Sequence, residues 1–295
     1  MTGSLLLQSI LTGLTNGFVY GLVGLGIAVV YRGSRIINAM QGEFALIAGI
    51  VGFLGLKALQ LHPLVAYTAG VLCGGAVGWL LDRFLIRPAR KRGANDDTYL
   101  LVTLGVAFAI SAAVLFFFSR DSLPMPGLGG EGSVLVMDAA IRVHSLWLIA
   151  ISVLVVALLL AFYYRTSVGL SMMAASIDPD GASMTGISVP RMRALTFVLG
   201  GAVGGLAGVL VAPLITIHYE MGLLLTLKGF AAAILGGLLN PSGAVVGGVV
   251  LGILESMAII TISSGYKDVI SMAALILIMV LMPNGILGRG GRRGG

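Results

Sequence analysis

A short polar segment separates the first two apolar runs of the sequence and holds side chains suited to binding a polar solute. It contains Asn38, Gln41, Gly42 and Glu43 within six residues. Amide and carboxylate groups can bind a polar solute, and irregular backbone at membrane depth is tolerated where it lines a cavity. One interpretation is therefore a substrate path between two spans. The alternative is a capped helix start, because Asn38 can cap a helix and a carboxylate favours its N-terminus.

Ionisable residues elsewhere in the apolar runs are few, and they comprise Glu220, Lys228 and Glu255. Carriers coupled to protons or sodium usually place several such groups at mid-membrane depth. Glu220 and Lys228 lie near a predicted span boundary, which leaves Glu255 as the deep carboxylate. This scarcity argues against a secondary carrier and favours a driving force supplied by a partner.

The sequence contains no recognisable catalytic or metal-binding pattern. It has no G-x-x-x-x-G-K-[ST] phosphate loop and no H-E-x-x-H zinc motif. The three histidines, His62, His144 and His218, stand apart near predicted span ends, where we expect solvated side chains. The single cysteine, Cys73, has no partner for a disulfide within the chain. We therefore expect neither an enzyme nor a bound metal or cofactor.

The composition predicts a membrane protein. Of the 295 residues, 58% are hydrophobic and 10% are charged, whereas a soluble domain carries about 25% charged residues. The net charge is +6, but the basic residues form short clusters between apolar runs, which argues against nucleic acid as a partner. The first apolar stretch has no basic segment before it, so we predict an uncleaved span and not a signal peptide.

Uncharged runs long enough to cross a hydrocarbon core of ~30 Å define the expected fold class. We predict an all-α, polytopic transmembrane bundle of eight or nine spans that forms one domain over residues 1–295. The predicted spans are 5–31, 42–61, 61–81, 98–119, 145–164, 194–219, 223–239, 242–262 and 269–288. Asn240-Pro241 divides one long apolar run, and the short segment 223–239 could either cross the bilayer or enter and return.

The positions of the basic residues favour nine crossings. If the N-terminus is outside and 223–239 crosses, 13 of the 18 Lys and Arg residues, including those of the basic tail, lie on the cytoplasmic side. A re-entrant 223–239 would leave that tail outside. We therefore predict a cytoplasmic C-terminus and a multi-pass protein of the bacterial inner membrane. Residues 120–142 then form an external loop, and residues 165–193 form the largest cytoplasmic loop.

Glycine is the most distinctive component of the predicted spans. The chain has 44 glycines, which is about twice the usual share of ~7%. Many repeat at four-residue spacing: Gly13, Gly17 and Gly21; Gly70, Gly74 and Gly78; Gly200, Gly204 and Gly208; Gly248 and Gly252. Membrane helices associate through close backbone approach across small residues. We predict glycine-rich helix packing, and such smooth faces would also permit helices to slide.

The loop 165–193 has the pattern of two short helices, broken at Asp178 and ended by Gly186. Its apolar residues recur at helical spacing: Leu170, Met173, Ala174, Ile177, Met184 and Ile187. Such a stripe is buried against either the membrane surface or a protein groove. Asp178 and Asp180 lie at its centre, where anionic lipid headgroups would repel them. A protein partner is therefore favoured.

Three stretches carry a family resemblance. They are Asn16-Gly17 to Gly26 with Ile36-Ile37-Asn38-Ala39-Met40-Gln41-Gly42-Glu43; Arg165-Thr166 to Gly186-Ile187; and Leu235-Gly236-Gly237 to Glu255. Together they resemble the Liv family, the permease subunits of ABC transporters for branched-chain amino acids, over nearly the whole chain. Two positions depart from the family pattern, because Met173 replaces an Arg and Gln41 replaces a His.

The resemblance implies the shorter permease subunit of an ATP-driven importer for branched-chain amino acids or related small solutes such as urea, amides and small carboxylates. Implied partners are a homologous, larger second permease, two cytoplasmic ATPase subunits that bind the ATP, an external solute-binding protein and membrane lipid. We assign a substrate path to Asn16, Tyr20, Asn38, Gln41, Gly42, Glu43 and Glu255. We assign ATPase coupling to Gly169, Met173, Ala174, Asp178, Pro179, Ala182, Gly186 and Ile187. The alternative function is a stand-alone secondary carrier or channel for small polar solutes.

Overall fold

The computed structural model describes residues 3–130, 132–136 and 139–261, with single positions at 269, 273, 276, 277, 285 and 286. The helices of this part are α1 (Gly3–Ser34), α2 (Gln41–Lys57), α3 (Pro63–Leu81), α4 (Arg87–Lys91), α5 (Asp96–Phe118), α6 (Val143–Arg165), α7 (Ser167–Ile177), α8 (Pro179–Met184), α9 (Val189–Ile215), α10 (Met221–Gly236) and α11 (Pro241–Thr261). A π-helical turn, Asp82–Ile86, joins α3 to α4. The predicted last span, 269–288, lies outside the described residues apart from those single positions.

The expected membrane bundle is confirmed in its coarse form. Six described helices are long and apolar enough to cross a membrane: Leu5–Ser34, Pro63–Lys91, Asp96–Phe118, Val143–Arg165, Val189–Ile215 and Pro241–Ile260. The helices α2 and α10 are shorter, with 17 and 16 residues. At 1.5 Å per residue each extends about 25 Å, which is less than a ~30 Å hydrocarbon core.

Helix α1 is the centre of the bundle, and its glycines let α11 approach its backbone. A methyl group on Gly17 would lie 2.6 Å from Val249 Cα, and one on Gly13 would lie 2.8 Å from Ile253 Cα. Residue numbers fall along α11 as they rise along α1, so the two helices run antiparallel. The glycine rows of α3 and α9 meet in the same manner. Glycine-rich packing is therefore confirmed.

Helices α5 and α6 lie at the periphery and expose apolar faces. In the most apolar stretch of each helix, 83% of the residues of α1 are buried, compared with 11% for α5 and 22% for α6. Phe116 and Phe117 of α5 are among the most exposed aromatic side chains. Because a large apolar surface of this kind is unfavourable in water, these faces must contact lipid or another protein.

The predicted loop 120–142 contains a β-hairpin that the all-α prediction missed. Strand β1 (Ser133–Val136) pairs antiparallel with β2 (Ala139–Arg142). The side chain of Gln8 in α1 binds the edge of β2, donating to Ala140 O at 3.0 Å and accepting from Ala140 N at 2.7 Å. A two-stranded hairpin is marginal by itself, and this tertiary contact could not be inferred from the local pattern.

The loop 165–193 forms the two predicted short helices, α7 and α8. Their N-termini are capped by side chains, because Thr166 Oγ1 accepts from Gly169 N at 3.0 Å and Asp178 Oδ1 accepts from Gly181 N at 3.0 Å. Gly186 follows α8 with φ +85°, a conformation that glycine adopts without strain. The predicted break at Asp178 and the predicted end at Gly186 are therefore confirmed.

Candidate functional site

The N-terminal ends of α2 and α10 meet inside the bundle. After α1 ends, residues 35–40 turn back inward before α2 begins, and residues 216–220 do the same before α10. A methyl group on Gly26, about two turns before the end of α1, would overlap the Gln41 side chain. Helix α2 therefore begins within the bundle. Broken helices with their N-termini at membrane depth are typical of solute sites in transport proteins.

Gln41 fastens the returning segment to α9. Its Nε2 atom donates to Gly200 O at 2.8 Å, and its side chain is fully buried. A methyl group on Gly204 would lie 2.7 Å from the same nitrogen. The absence of side chains at Gly26 and Gly204 thus creates the slot that holds Gln41. This residue positions α2, and its amide nitrogen is already engaged.

Asn38 stabilises the turn before α2, but it does not cap the helix. The residue at the N-cap position is Met40, which makes no side-chain cap bond. Asn38 Oδ1 accepts from Met40 N at 3.1 Å, and Thr103 Oγ1 accepts from Ala39 N at 3.1 Å. The alternative in which Asn38 caps the helix start is therefore wrong. Both contacts provide a hydrogen-bond acceptor for a backbone N–H group that is buried in the bundle.

Thr226 joins the starts of the two short helices. Its Oγ1 atom accepts from Gly42 N at 2.8 Å and donates to Gly222 O at 3.0 Å. A methyl group on Gly42 would lie 2.6 Å from Thr226 Oγ1 and would overlap Gly222 O. Gly42 is therefore required for close approach, and Thr226 is a functional neighbour that sequence analysis missed. The one-turn spacing of Gly222 and Thr226 offers only a weak signal, since it also occurs in ordinary helix packing.

The Thr226 bond gives a matched pair of variants. We expect Thr226→Val to lower the free energy of unfolding by about 1–3 kcal/mol, because the buried Gly42 N–H loses its acceptor. Thr226→Ser keeps the hydroxyl and should stay close to the parent protein. Thermal unfolding of the purified chain in detergent measures both. Equal stability of the two variants would contradict the assigned role of the bond.

Glu43 is a buried carboxylate between the two helix N-termini. It lies in the first turn of α2, and its carboxylate contacts the Cα position of Gly222 in the first turn of α10. Ser111 Oγ donates to Oε1 at 3.1 Å, whereas Oε2 has no hydrogen-bond partner within the described residues. Helix N-termini favour a negative charge. Glu43 is therefore a second deep carboxylate, and the prediction that Glu255 was the sole one is wrong.

Tyr20 and Glu255 form a separate cluster around Lys228. Lys228 Nζ donates to Glu255 Oε1 at 2.9 Å and to Tyr20 Oη at 3.0 Å, which connects α1, α10 and α11. The Lys228 and Glu255 side chains are 11% and 1% exposed. Lys228 was predicted to lie near a span boundary, and the structure corrects this placement. A single lysine in an apolar segment was the available signal, because such residues are costly in a membrane.

The predicted path residues thus form two clusters on different faces of α10. Thr226 contacts Gly42, whereas Lys228 contacts Tyr20 and Glu255. Two residues along a helix correspond to a rotation of about 200°, so the two contacts point in nearly opposite directions. Helix α10 therefore lies between the two clusters and contacts both.

Asn16 lies in a polar row that leads to the Lys228 cluster. Gln8, Thr12 and Asn16 line a cleft of about 310 Å³ beside the β-hairpin. Tyr20 continues the same four-residue spacing one turn further along α1. Residues at this spacing lie on one face of a helix. Polar side chains at this spacing therefore run along α1 from the cleft towards the buried ion pair.

The predicted coupling residues lie together on α7, α8 and the segment that follows, but they differ in exposure. Ala174, Asp178 and Gly186 are exposed, Met173, Pro179 and Ile187 are half-buried, and Gly169 and Ala182 are buried. Met173 Sδ lies 3.0 Å from Arg32 Nη2, so this departure from the family pattern binds α1. The largest exposed apolar side chains of α7 and α8 are Leu170, Ile177 and Met184. These three residues define the coupling face.

His144 is buried, in contrast to the solvated side chain that the sequence predicted. Its Nδ1 atom accepts from Leu128 N at 2.9 Å, and its Nε2 atom is 2.7 Å from Leu210 O, to which it donates. It therefore attaches the loop 120–142 to α9. No group of three or more His, Cys, Asp or Glu side chains that could hold a metal occurs in the part of the chain that the structure describes.

The glycine-packed bundle with broken helices at its centre defines a polytopic membrane protein of the transport class. The chain matches the family described as "Branched-chain amino acid transport system / permease component" over residues 9–279. It belongs to this family. The predicted resemblance is therefore confirmed, and so is the prediction that the chain is not an enzyme, because the family consists of transport permeases.

Individual relatives agree with the family match. The chain is 31% identical to the high-affinity branched-chain amino acid transport system permease protein LivH of Salmonella typhimurium, over 96% of both chains. It is also 31% identical to the permease protein BraD of Pseudomonas aeruginosa, over 96% of both chains. A probable LivH of Methanocaldococcus jannaschii is 27% identical, over 90% of this chain and 88% of its own. No solved structure matches the chain.

Proposed function

We propose that the chain is the permease subunit of an ATP-driven importer for branched-chain amino acids or related small solutes such as urea, amides and small carboxylates. The coupling face carries this proposal. Ile177 is 74% exposed and Met184 is 89% exposed, on short helices outside the spans. Exposed apolar patches mark contacts with other proteins or with membranes. We assign this one to one of the two ATPase subunits that supply the energy for transport.

We further propose that solute enters along the polar face of α1. An external binding protein would deliver it to the cleft beside Gln8 and Asn16, and the path would continue to Tyr20 and Lys228. A larger, homologous second permease would close the open side of this cleft. The support is the four-residue polar spacing and the buried ion pair at its end. Solute bound near Lys228 would affect Glu43 through α10, because the first turn of α10 contacts the Glu43 carboxylate.

The proposed topology has nine crossings, with the N-terminus outside and the C-terminus in the cytoplasm. The packing of α10 supports it, because Ala28 of α1 and Ala233 of α10 lie in one apolar cluster with Ala244 of α11. Since α11 is antiparallel to α1, it begins at the end of the bundle where α1 finishes. Residues 216–236 would therefore carry the chain from one side of the membrane to the other.

Cysteine labelling tests this topology. In a Cys73→Ser background, we expect Arg90→Cys, Met184→Cys and Gly290→Cys to react only after the inner side becomes accessible. Gly130→Cys should react with an impermeant maleimide in intact cells. Labelling of position 290 from outside would contradict nine crossings and support a re-entrant 223–239.

Reconstitution tests the function itself. The chain is expressed together with candidate ATPase, second-permease and binding-protein subunits from the same organism, and the complex is placed in liposomes. We expect uptake of labelled leucine or urea to require internal ATP and the binding protein. The chain alone should show neither ATP hydrolysis nor uptake. Solute uptake by the chain alone would contradict the proposal and favour a stand-alone carrier or channel.

A further inference from the structure

A basic cleft lies at the end of the bundle that carries α7 and α8. It has a volume of about 860 Å³. Three segments form its walls: the helix that continues from α3 through the π-helical turn into α4, the outer helix α8, and the start of α9. Its charged lining residues are Arg83, Arg87, Arg90, Lys91, Asp180 and Arg193. The lining of the cleft therefore contains five cationic side chains and one carboxylate.

Two of these cations, Arg87 and Arg193, are held in place by a buried carboxylate. Asp82 is fully buried, and its two oxygens accept from Arg87 Nε at 2.7 Å and Arg193 Nε at 2.8 Å. Arg87 Nη2 also donates to Pro190 O at 3.3 Å. Each guanidinium has further N–H groups beyond the nitrogen that binds Asp82. The carboxylate therefore orients both side chains without exhausting their donors.

The other three cations remain available to a ligand. Arg83, Arg90 and Lys91 form no ion pair with any carboxylate among residues 3–130, 132–136 and 139–261. They are exposed and lie on the same helical segment as Arg87. Like charges at this spacing repel one another. A bound anion would relieve that repulsion.

The start of α9 adds the positive end of a helix to the cleft. Val189 and Pro190 line it, and the N-cap residue Ser188 makes no side-chain cap bond. The N-terminus of a 27-residue helix favours a negative charge. Arginine side chains together with a helix N-terminus match the oxygen atoms of a phosphate group. The chemistry of the cleft is therefore that of a phosphate site.

The surface next to the cleft is suited to acyl chains. Leu80 and Phe84 lie one turn apart on the helix that carries Arg83, and Phe84 is 64% exposed. Trp79 is exposed beside them. Aromatic residues next to a basic cluster are typical of the boundary between hydrocarbon and headgroups. A free phosphate ion would make no use of this apolar surface, whereas a phospholipid would contact both parts.

We propose that this cleft binds an anionic phospholipid, with its phosphate among Arg83, Arg90 and Lys91 and its acyl chains along Leu80 and Phe84. Basic pockets between membrane helices bind lipid headgroups in this way. Pro179, Asp180 and Ser183 of α8 line the cleft, whereas Met184 of the same helix is exposed away from it. The bound lipid stabilises the position of α8. This inference does not depend on the proposed function.

The test measures lipid binding to the purified full chain in detergent by native mass spectrometry and by thermal stabilisation. The probes are phosphatidylglycerol, phosphatidylcholine and inorganic phosphate. The variant Arg83→Gln/Arg90→Gln/Lys91→Gln removes the three unpaired cations and leaves Arg87 and Arg193 on Asp82. A control variant, Lys57→Gln/Arg120→Gln/Arg142→Gln, removes three exposed cations elsewhere in the chain.

We expect phosphatidylglycerol to bind the parent and the control equally, and to bind the cleft variant on the order of 100-fold more weakly, at roughly 1 kcal/mol per cation. Phosphatidylcholine and inorganic phosphate should bind the parent more weakly than phosphatidylglycerol. Unchanged binding to a cleft variant that is folded, as shown by its melting without lipid, overturns the site. An equal response to inorganic phosphate overturns the lipid assignment. Loss of ATPase co-purification with unchanged lipid binding would identify a protein contact instead.

Discussion

Replacing Met184 or Ile177 with glutamate is expected to reduce ATP-driven uptake by about 30-fold or more, while the chain remains folded in the membrane. Both side chains are largely exposed, so the fold of the permease does not depend on them. An unpaired carboxylate in an apolar groove is costly, and residues at the centre of an interface typically contribute 2 kcal/mol or more. The measurements are solute uptake, co-purification of the ATPase and thermal stability.

Leu135→Glu is the matched control, because Leu135 is 73% exposed and lies on the β-hairpin away from α7 and α8. The ATPase should remain bound in this variant. Ala182→Glu is less informative, because Ala182 is buried and its replacement disturbs α8 itself. Normal uptake and full ATPase retention in both Met184→Glu and Ile177→Glu would contradict the coupling role. The coupling face would then be assigned to the membrane surface.

Gly17→Leu should prevent the chain from accumulating as a folded protein. A single methyl group at Gly17 would already lie 2.6 Å from Val249 Cα and 2.9 Å from Gly248 O. These are backbone atoms, so relief requires α1 and α11 to separate along their contact. Overpacking usually costs about 1–3 kcal/mol, and the loss of helix packing adds to it. Size-exclusion chromatography and thermal melting of a detergent-solubilised fluorescent fusion measure the outcome.

Gly105→Leu provides the corresponding control in α5. A methyl group at Gly105 meets nothing within 4 Å of the described structure, and leucine favours helix more than glycine does. We expect this variant to be at least as stable as the parent. A folded Gly17→Leu protein with parental stability would show that α1 and α11 do not pack closely.

The helix positions were largely predictable because a long uncharged, apolar run indicates a helix that is surrounded by lipid or by other apolar helices. The break at Asp178 was equally visible, since Asp before Pro favours a helix start and Gly186 a helix end. By contrast, the sequence placed Gln41 in the polar segment between the first two spans but did not indicate which helices surround it. The structure carries residues 35–40 back into the bundle, where glycines from α1 and α9 leave space for the Gln41 side chain. The burial of Gln41 within the bundle therefore depends on residues that are distant in the sequence.

The site was predictable in its residue types but not in its arrangement. Asn38, Gln41, Gly42 and Glu43 are adjacent in sequence, so they had to lie close together. Whether Glu255 joined them depended on which face of α10 each helix contacts, and local periodicity does not determine this. Thr226 carried only a weak signal and Ser111 carried none, because a hydroxyl in an apolar helix usually bonds its own backbone.

The pairing of α1 with α11 determines when the protein can fold during its synthesis. Helix α1 leaves the ribosome first, yet its glycine face is matched by residues more than two hundred positions later in the chain. Until α11 is inserted, that face has only lipid or transient partners. Contacts between such distant segments form late. A ribosome that stalls before residue 241 therefore leaves a membrane-inserted fragment in which the glycine side of α1 lacks its partner helix.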